Sequence, residues 1–391
     1  MKDKITIGLF NDSFYPMTDG VINVVDNYAR LLSKRANVIV FVPSYLNNYY
    51  DDTTLPYKVV RCKSIKIPFL DYSLPIPKLD IKFLKELKKY NLDIVHIHSP
   101  FTIGATGVKY AKKHNIPCIA TMHSQFKKDI MRFTKSELAS DKLLKEIIKV
   151  FNSCDECFAV NKEVARIFYE DYHCKKYPLV MNNATNMKRL DDFKKASKYI
   201  NKKHNIKSNE KVFLFVGRLN LLKNILFIVD SLAALKEKRP KLKFKMLFVG
   251  SGQDEDKLVK RINKLKLEKD IILCGKIMDR TELACYYARA DLFLFPSTYD
   301  ASSIVQIEAA SQETPTIFLK NTATASTVID NVNGYISENS TGAFSDKIID
   351  AIEDKKSYEK ICKNAYIDLY KTLDETIDKV YDAYIDLINN K

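Results

Sequence analysis

The sequence contains no uninterrupted apolar run that approaches the roughly 20 residues a helix needs to cross a bilayer. Its longest runs, such as 212–216 and 292–296, stop far short, so no spanning helix is expected. The opening Met1-Lys2-Asp3-Lys4 passes directly into a strand-like stretch at 5–10 without a separate apolar segment and small-residue cleavage site. It therefore reads as cytosolic. The chain also lacks Gly-x-x-x-x-Gly-Lys-Ser/Thr, and its one Gly-x-Gly, Gly250-Ser251-Gly252, lacks the third glycine of a dinucleotide fingerprint. ATPase and NAD-dehydrogenase chemistry lose their signatures. His-Glu-x-x-His and Gly-x-Ser-x-Gly are missing as well, which removes metalloprotease and serine hydrolase. Cysteine is sparse: eight residues, at 62, 118, 154, 157, 174, 274, 285 and 362, are too irregular for a disulfide framework. Cys154, Cys157, His173 and Cys174 have the ligand types of a zinc site. The run from Cys157 to Val160 better suits a buried strand carrying a small hydrophobe, and no metal is expected.

What is present is the composition of a folded protein of two or three domains, with 46% apolar and 28% charged residues in 391. Its net charge of +15 is uneven: residues 1–200 carry +12 and residues 201–391 carry +3. Such asymmetry points to an anionic partner, nucleic acid or an acidic membrane leaflet, unless it reflects Lys-rich composition alone. Strand-like runs at 5–10, 38–42, 92–97 and 116–121 alternate with helical patterns at 21–34 and 108–113. A second series begins at 212–216 and runs through 244–249, 271–274, 292–296 and 316–319, with helices at 225–236, 255–266, 281–288 and 304–311 between them. The fold class is α/β: two doubly wound, mostly parallel sheets covered by helices. The polar stretch 188–211 shows no strong apolar period and reads as the linker. Domains are expected at 1–186 and 187–370, with the ligand cleft where the carboxyl edges of the two sheets face each other.

Two stretches carry chemistry. Gly217-Arg218 with Lys223 follows the first strand of the second series, where a glycine turns the backbone and two cations meet a helix N-terminus, an arrangement suited to a diphosphate. Cations are otherwise disfavoured at that end of a helix. Asp300 and Glu308 stand eight apart, the first in a loop and the second within the next helix, with free helix N–H groups near Ser302, Ser303, Ile304 and Val305. Carboxylates accept well from sugar hydroxyls; the plainer reading is that Asp300 and Ser302 cap the helix.

Taken together, Gly-Arg-x4-Lys, the acid-x7-Glu of Asp300 and Glu308 followed by Ala309-Ala310, Thr314-Pro315 and Asn333-Gly334-Tyr335 resemble the retaining nucleotide-sugar glycosyltransferases of the GT-B fold. Phe14-Tyr15-Pro16, Asp19-Gly20-Val21, Asp93-Ile94-Val95-His96-Ile97-His98 and Thr121-Met122-His123 match the N-terminal half of that family, so the resemblance covers nearly the whole chain. It implies two Rossmann-like domains facing across a cleft. It further implies that Arg218 and Lys223 bind the donor diphosphate, Glu308 the ribose hydroxyls, and Asp300 with the amides near Ser302, Ser303 and Ile304 the transferred sugar. His123 would sit beside the anomeric centre, Gly20 would let its loop approach the phosphate, and Ile277 would present its backbone to the nucleobase. The catalytic set so implied is His123, Asp300, Arg218 and Lys223, with no cofactor; a divalent ion could still stimulate. The chain departs from the family pattern at Asp300 for Glu, at Ala301-Ser302-Ser303 for Gly-Phe-Gly, at Asp19-Gly20 for paired glycines, and at Asn182-Asn183-Ala184 for Pro-Asn-Gly. His96 and His98 share one strand face and read as structural histidines.

The acceptor is read from charge. Residues 126–151 interleave Lys127, Lys128, Arg132, Lys135, Lys142, Lys145 and Lys149 with apolar residues, the pattern of a helix lying on an anionic leaflet. A second contact is expected in 61–89, around Ile65, Ile67, Phe69, Leu70 and Tyr72. No nucleic-acid recognition module is visible. The Tyr-Pro-x-x-x-Gly-Val opening resembles bacterial diacylglycerol glucosyltransferases, which implies transfer of glucose or a similar hexose from a UDP-sugar to diacylglycerol at the inner face of the membrane. The alternatives are a capsule or cell-wall enzyme acting on a lipid-linked oligosaccharide, and a catalytically silent membrane-binding relative. The last helical segment, 371–391, is expected to cross back onto the first domain.

Overall fold

The computed structural model describes residues 4–17, 19–45, 50–66 and 73–391. The chain forms two compact units, Met1–Asn183 with Leu373–Lys391, and Ala184–Thr372. The first is built on strands β1 (Thr6–Phe10), β2 (Asn37–Pro43), β3 (Lys58–Cys62), β4 (Ser64–Lys66), β5 (Ser73–Pro75), β6 (Ile94–Ile97), β7 (Cys118–Met122), β8 (Glu156–Ala159) and β9 (Leu179–Val180). Seven of these form a parallel sheet in the order β3-β2-β1-β6-β7-β8-β9, while β4 and β5 make a separate antiparallel pair. Central strands such as β2 and β7 are buried along almost their whole length. Helices cover both faces of such a sheet, so these strands are continuously apolar rather than alternating.

The helices explain the register of the rest. Helix Gly20–Leu32 turns Ile22, Val25, Ala29 and Leu32 inward and starts at Asp19, whose carboxylate accepts the Ile22 N–H at 2.8 Å. Helix Thr102–His114 has no cap of its own. Asp12, in the loop after β1, supplies it by accepting the N–H groups of Ile103 (2.8 Å) and Gly104 (3.2 Å). The C-terminal helix Leu373–Asn389 packs in this unit, burying Ile377, Val380 and Tyr384, with Arg35 paired to Asp378 at 2.8 Å. The segment Leu373–Lys391 is part of this first unit.

The basic stretch 126–151 differs from the single surface helix its pattern suggests. It breaks at Lys135, whose φ of 51° ends helix Phe126–Thr134 before helix Glu137–Phe151 begins. Phe126, Ile130, Leu144, Ile147, Ile148 and Phe151 turn into the core, as an amphipathic helix of a globular domain ordinarily does. Phe133 and Leu138, either side of the break, remain 75% and 86% exposed. Of the second expected surface, Ile65 is exposed, whereas Ile67, Phe69, Leu70 and Tyr72 lie outside the described residues.

The second unit carries β10 (Lys211–Val216), β11 (Phe244–Val249), β12 (Ile271–Gly275), β13 (Leu292–Leu294), β14 (Thr316–Leu319) and β15 (Tyr335–Ser337) in the parallel order β12-β11-β10-β13-β14-β15. The order reverses between β10 and β13, the switch point where ligands bind in open sheets of this kind. Phe213, Phe215, Phe248, Phe293, Phe295 and Phe318 fill its core. The stretch read as a linker in fact contains helix Phe193–His204, capped by Asp192 and packed on helix Arg280–Arg289. Only Ala196 and Ile200 turn inward, one i,i+4 pair, which is too little apolar signal to stand out among lysines.

Candidate functional site

The carboxyl edge of the second sheet is assembled by close backbone approach. Gly250 has φ of 137°, and a Cβ there would lie 1.9 Å from the Gly217 carbonyl oxygen; one on Gly252 would lie 2.4 Å from that of Leu219. The Gly250-Ser251-Gly252 loop thereby docks directly on the loop after β10. Leu219 N–H donates to Ser251 O (3.0 Å), Asp254 N–H to Leu219 O (3.1 Å), and Leu221 N–H to the Asp254 carboxylate (2.9 Å). This Gly-x-Gly is a scaffold for the Arg218–Lys223 segment, a role the motif signals only once its neighbour is known.

Arg218 stands exposed on that segment, and Asn220 caps the following turn by accepting the Lys223 N–H at 3.2 Å. The Lys223 ammonium forms an ion pair with Asp300, which comes from the loop after β13 across the switch point. Both side chains are mostly buried, and Lys223 lies 5.8 Å from the centre of the Phe295 ring. Helix Ile304–Ser311 is capped by Ser303, which accepts the Gln306 N–H at 3.2 Å. The plainer reading of Asp300 and Ser302 as caps is therefore corrected: Asp300 is committed to Lys223, and Ser303 does the capping. Glu308 is 4% exposed and takes Arg280 Nη2 on one oxygen at 2.7 Å and the Tyr287 hydroxyl on the other at 3.0 Å. Burial and the charge of Glu308 hold the Tyr287 phenol well above its ordinary pKa, so it stays a donor. Ile277 follows Gly275 (φ 68°) in the loop after β12, its side chain packed on the core.

Arg218, Lys223, Ile277, Asp300, Ser302, Ser303, Ile304 and Glu308 thus all belong to one edge of one unit. Gly20 and His123 belong to the other unit, at the carboxyl edge of its sheet. Gly20 is the exposed first residue of helix Gly20–Leu32, with open space where a Cβ would go. His123 follows β7, and its Nε2 meets His98 Nδ1 at 3.0 Å. The His98 ring stacks on His96 with centroids 4.2 Å apart, and His96 bonds Tyr384 (2.5 Å) and Thr121 (2.6 Å). Burial lowers the pKa of His96 and of His123 to about 3 and that of His98 well below the ordinary value, so all three imidazoles are neutral near pH 7. His96 is a satisfied core histidine as expected. His98 is not, because its buried Nε2 has no hydrogen-bond partner among the described residues. Arg280, Tyr287 and the His98–His123 bond carry no sequence signal, since their partners are remote in the chain.

Among the described residues no group of three or more His, Cys, Asp and Glu side chains could hold a metal ion, and no helix is long and apolar enough to cross a membrane. Comparison with known proteins finds relatives along nearly the whole chain. Residues 175–368 match "Glycosyl transferases group 1" and residues 18–186 match "Glycosyltransferase Family 4". Over 98% of its length the chain is 25% identical to an alpha-monoglucosyldiacylglycerol synthase of Streptococcus pneumoniae, covering 86% of that protein. It is 26% identical to the enzyme of the same name from Acholeplasma laidlawii, covering 98% of each chain. The Anabaena protein Alr3699/HepE, solved with UDP and glucose, superposes with a TM-score of 0.75 at 15% identity, over 97% of this chain and 99% of that one.

Proposed function

We propose that this chain, which belongs to the group 1 glycosyltransferases and has their two-domain GT-B fold, moves a hexose from a UDP-sugar to a membrane lipid of the diacylglycerol class with retention of configuration. The observation that carries the reading is the meeting of Lys223 and Asp300 at the switch point of the second sheet, beside exposed Arg218. Arg218 binds the diphosphate through bidentate bonds and Lys223 as a point charge, together offsetting the charge that grows on the leaving group. Lys223 turns from Asp300 to the phosphate as the donor enters, which frees Asp300 to accept from the sugar hydroxyls. Glu308 accepts from the ribose, and Ile277 meets the base through its backbone. Neutral His123 lies beside the anomeric carbon, where an uncharged ring suits an oxocarbenium-like transition state better than a cation would. In the same assignment Gly20 lies near the phosphate, and Ser302, Ser303 and Ile304 lie at the sugar.

The lipid acceptor is supported by the two relatives named for glucosyldiacylglycerol synthesis. It is supported as well by the apolar Phe133 and Leu138, exposed among Arg132, Lys135 and Lys142. That surface suits peripheral attachment to the anionic inner face of the cell membrane, each nearby cation adding about 1 kcal/mol. Nucleic acid is not a partner in this reading.

The test is nucleoside-diphosphate release from UDP-, GDP- and ADP-sugars, with and without anionic liposomes containing diacylglycerol, beside a Glu308→Ala control. Release from UDP-glucose that requires diacylglycerol and is lost in the control supports the proposal. Donor-selective release indifferent to diacylglycerol redirects the acceptor to a lipid-linked oligosaccharide. Absence of release from every donor makes the chain a silent membrane-binding relative.

A further inference from the structure

Arg280 opens helix Arg280–Arg289, and its Nη2 meets three acceptors: Glu308 Oε1 at 2.7 Å, Asn186 Oδ1 at 3.1 Å and Thr185 Oγ1 at 3.2 Å. Two of these lie where the chain enters the second unit, immediately after Ala184. Thr185 is also tied to the point where the chain leaves that unit. Its N–H donates to Lys371 O at 3.1 Å, and it pairs with Thr372. The junction is closed by the Met187 N–H donating to Thr185 Oγ1 (3.1 Å) and by the Tyr370 hydroxyl donating to Met187 O (3.0 Å). One guanidinium nitrogen therefore joins the Glu308 carboxylate to the segment where the chain enters this unit and, through Thr185, to the segment where it leaves.

The stoichiometry of that nitrogen matters. Nη2 carries two hydrogens and faces three acceptors, so a change at one acceptor alters what the other two receive. Glu308 is fixed on its far side by the Tyr287 hydroxyl, whereas the Arg280 side chain is 44% exposed and has room to move. We propose that Arg280 is a positioning residue that couples nucleotide occupancy at Glu308 to the crossing segments 184–187 and 370–372. The inference rests on the reading of Glu308 as the acceptor of the ribose hydroxyls. A diol that donates to Oε1 competes with Nη2 there, and the guanidinium shifts its bonds toward Asn186 and Thr185, tightening the junction. By linkage, a tightened junction in turn favours the nucleotide.

The experiment is amide hydrogen exchange on the full chain with and without UDP, with GDP and ADP run beside it, for the wild type and for Arg280→Gln, Asn186→Ala and Glu308→Gln. In the wild type, UDP is expected to slow exchange at 184–187 and 370–372. In Arg280→Gln that response disappears even at saturating UDP, and the Kd for UDP rises about fivefold or more, a coupling loss of ordinary size. Asn186→Ala cuts the exposed end of the link without touching the buried carboxylate, so it reproduces the lost response even where Arg280→Gln folds poorly. A nucleotide response at both segments that persists in both variants overturns the coupling, as does a wild type whose segments ignore bound nucleotide. Glu308→Gln separates the premise: if it binds UDP as tightly as the wild type, the ribose assignment falls. If it weakens UDP while the other variants keep the response, only the coupling falls.

Discussion

At the residue scale, the candidate site is a set of charges that hold one another. Lys223 and Asp300 neutralise each other, and both side chains are mostly buried. Lys223→Met keeps the length of the side chain and its packing on Phe295 but leaves Asp300 without its cation. We expect kcat for donor turnover to fall by about 10² to 10³, the loss typical of one electrostatic group at a developing charge, measured as nucleoside-diphosphate release at saturating donor. His96 gives a separate prediction through pH. Burial holds its folded-state pKa near 3 against an ordinary 6.5, so between those values the unfolded chain binds a proton that the folded chain does not. Stability must then fall as pH drops from 6.5 toward 3, by up to about 1.4 kcal/mol per pH unit from this group. His96→Asn removes that term. Whatever its stability at pH 8, its urea midpoint is expected to decline less steeply than the wild type's between pH 6.5 and pH 4, and equal slopes would contradict the assignment.

At the scale of elements, most of the fold was legible because the strands are buried on both faces. Runs such as Phe244–Val249, apolar but for Lys245, and Thr316–Leu319 are bounded by Gly250 and Pro315, so their type and bounds could be read directly. What escaped reading depends on partners far along the chain. Helix Thr102–His114 is capped by Asp12, and Lys223 meets an acid 77 residues away. That Arg218, Lys223 and Asp300 stand near strand ends, with Glu308 in the next helix, could be read from the motifs, whereas the Arg280–Glu308–Tyr287 arrangement could not. Helix Phe193–His204 was hidden for a third reason, since lysines surround its two inward residues. Ile200, fully buried between this helix and the second core, tests whether so faint a stripe secures the element. Ile200→Ala should cost about 2–5 kcal/mol in chemical denaturation, the usual range for removing a buried branched side chain. A cost below about 1 kcal/mol would mean that the helix is held by its surface pairs instead.

At the scale of the whole molecule, the charge is concentrated where the acceptor is expected: +12 in residues 1–200 against +3 in the remainder. Charge of this kind attracts an anionic surface from a distance, and salt screens it, the Debye length shrinking from about 10 Å at 0.1 M to 3 Å at 1 M. In the proposed membrane contact the exposed Phe133 and Leu138 act only at close range, and burial of apolar surface is not screened by salt as charge is. The two contributions are therefore separable. Binding to anionic vesicles should weaken steeply with added salt yet retain a residual component at 1 M. Phe133→Ser with Leu138→Ser should abolish that residual component and lower affinity at 0.1 M by tenfold or more, since burying one such side chain is worth about 1.5–3 kcal/mol. Because both side chains are largely exposed in the folded chain, the double variant should keep the wild-type unfolding midpoint, so a loss of vesicle binding in sedimentation could not be ascribed to misfolding. A double variant that binds as well as the wild type at both salt concentrations would leave attachment to charge alone and remove residues 133 and 138 from the membrane contact.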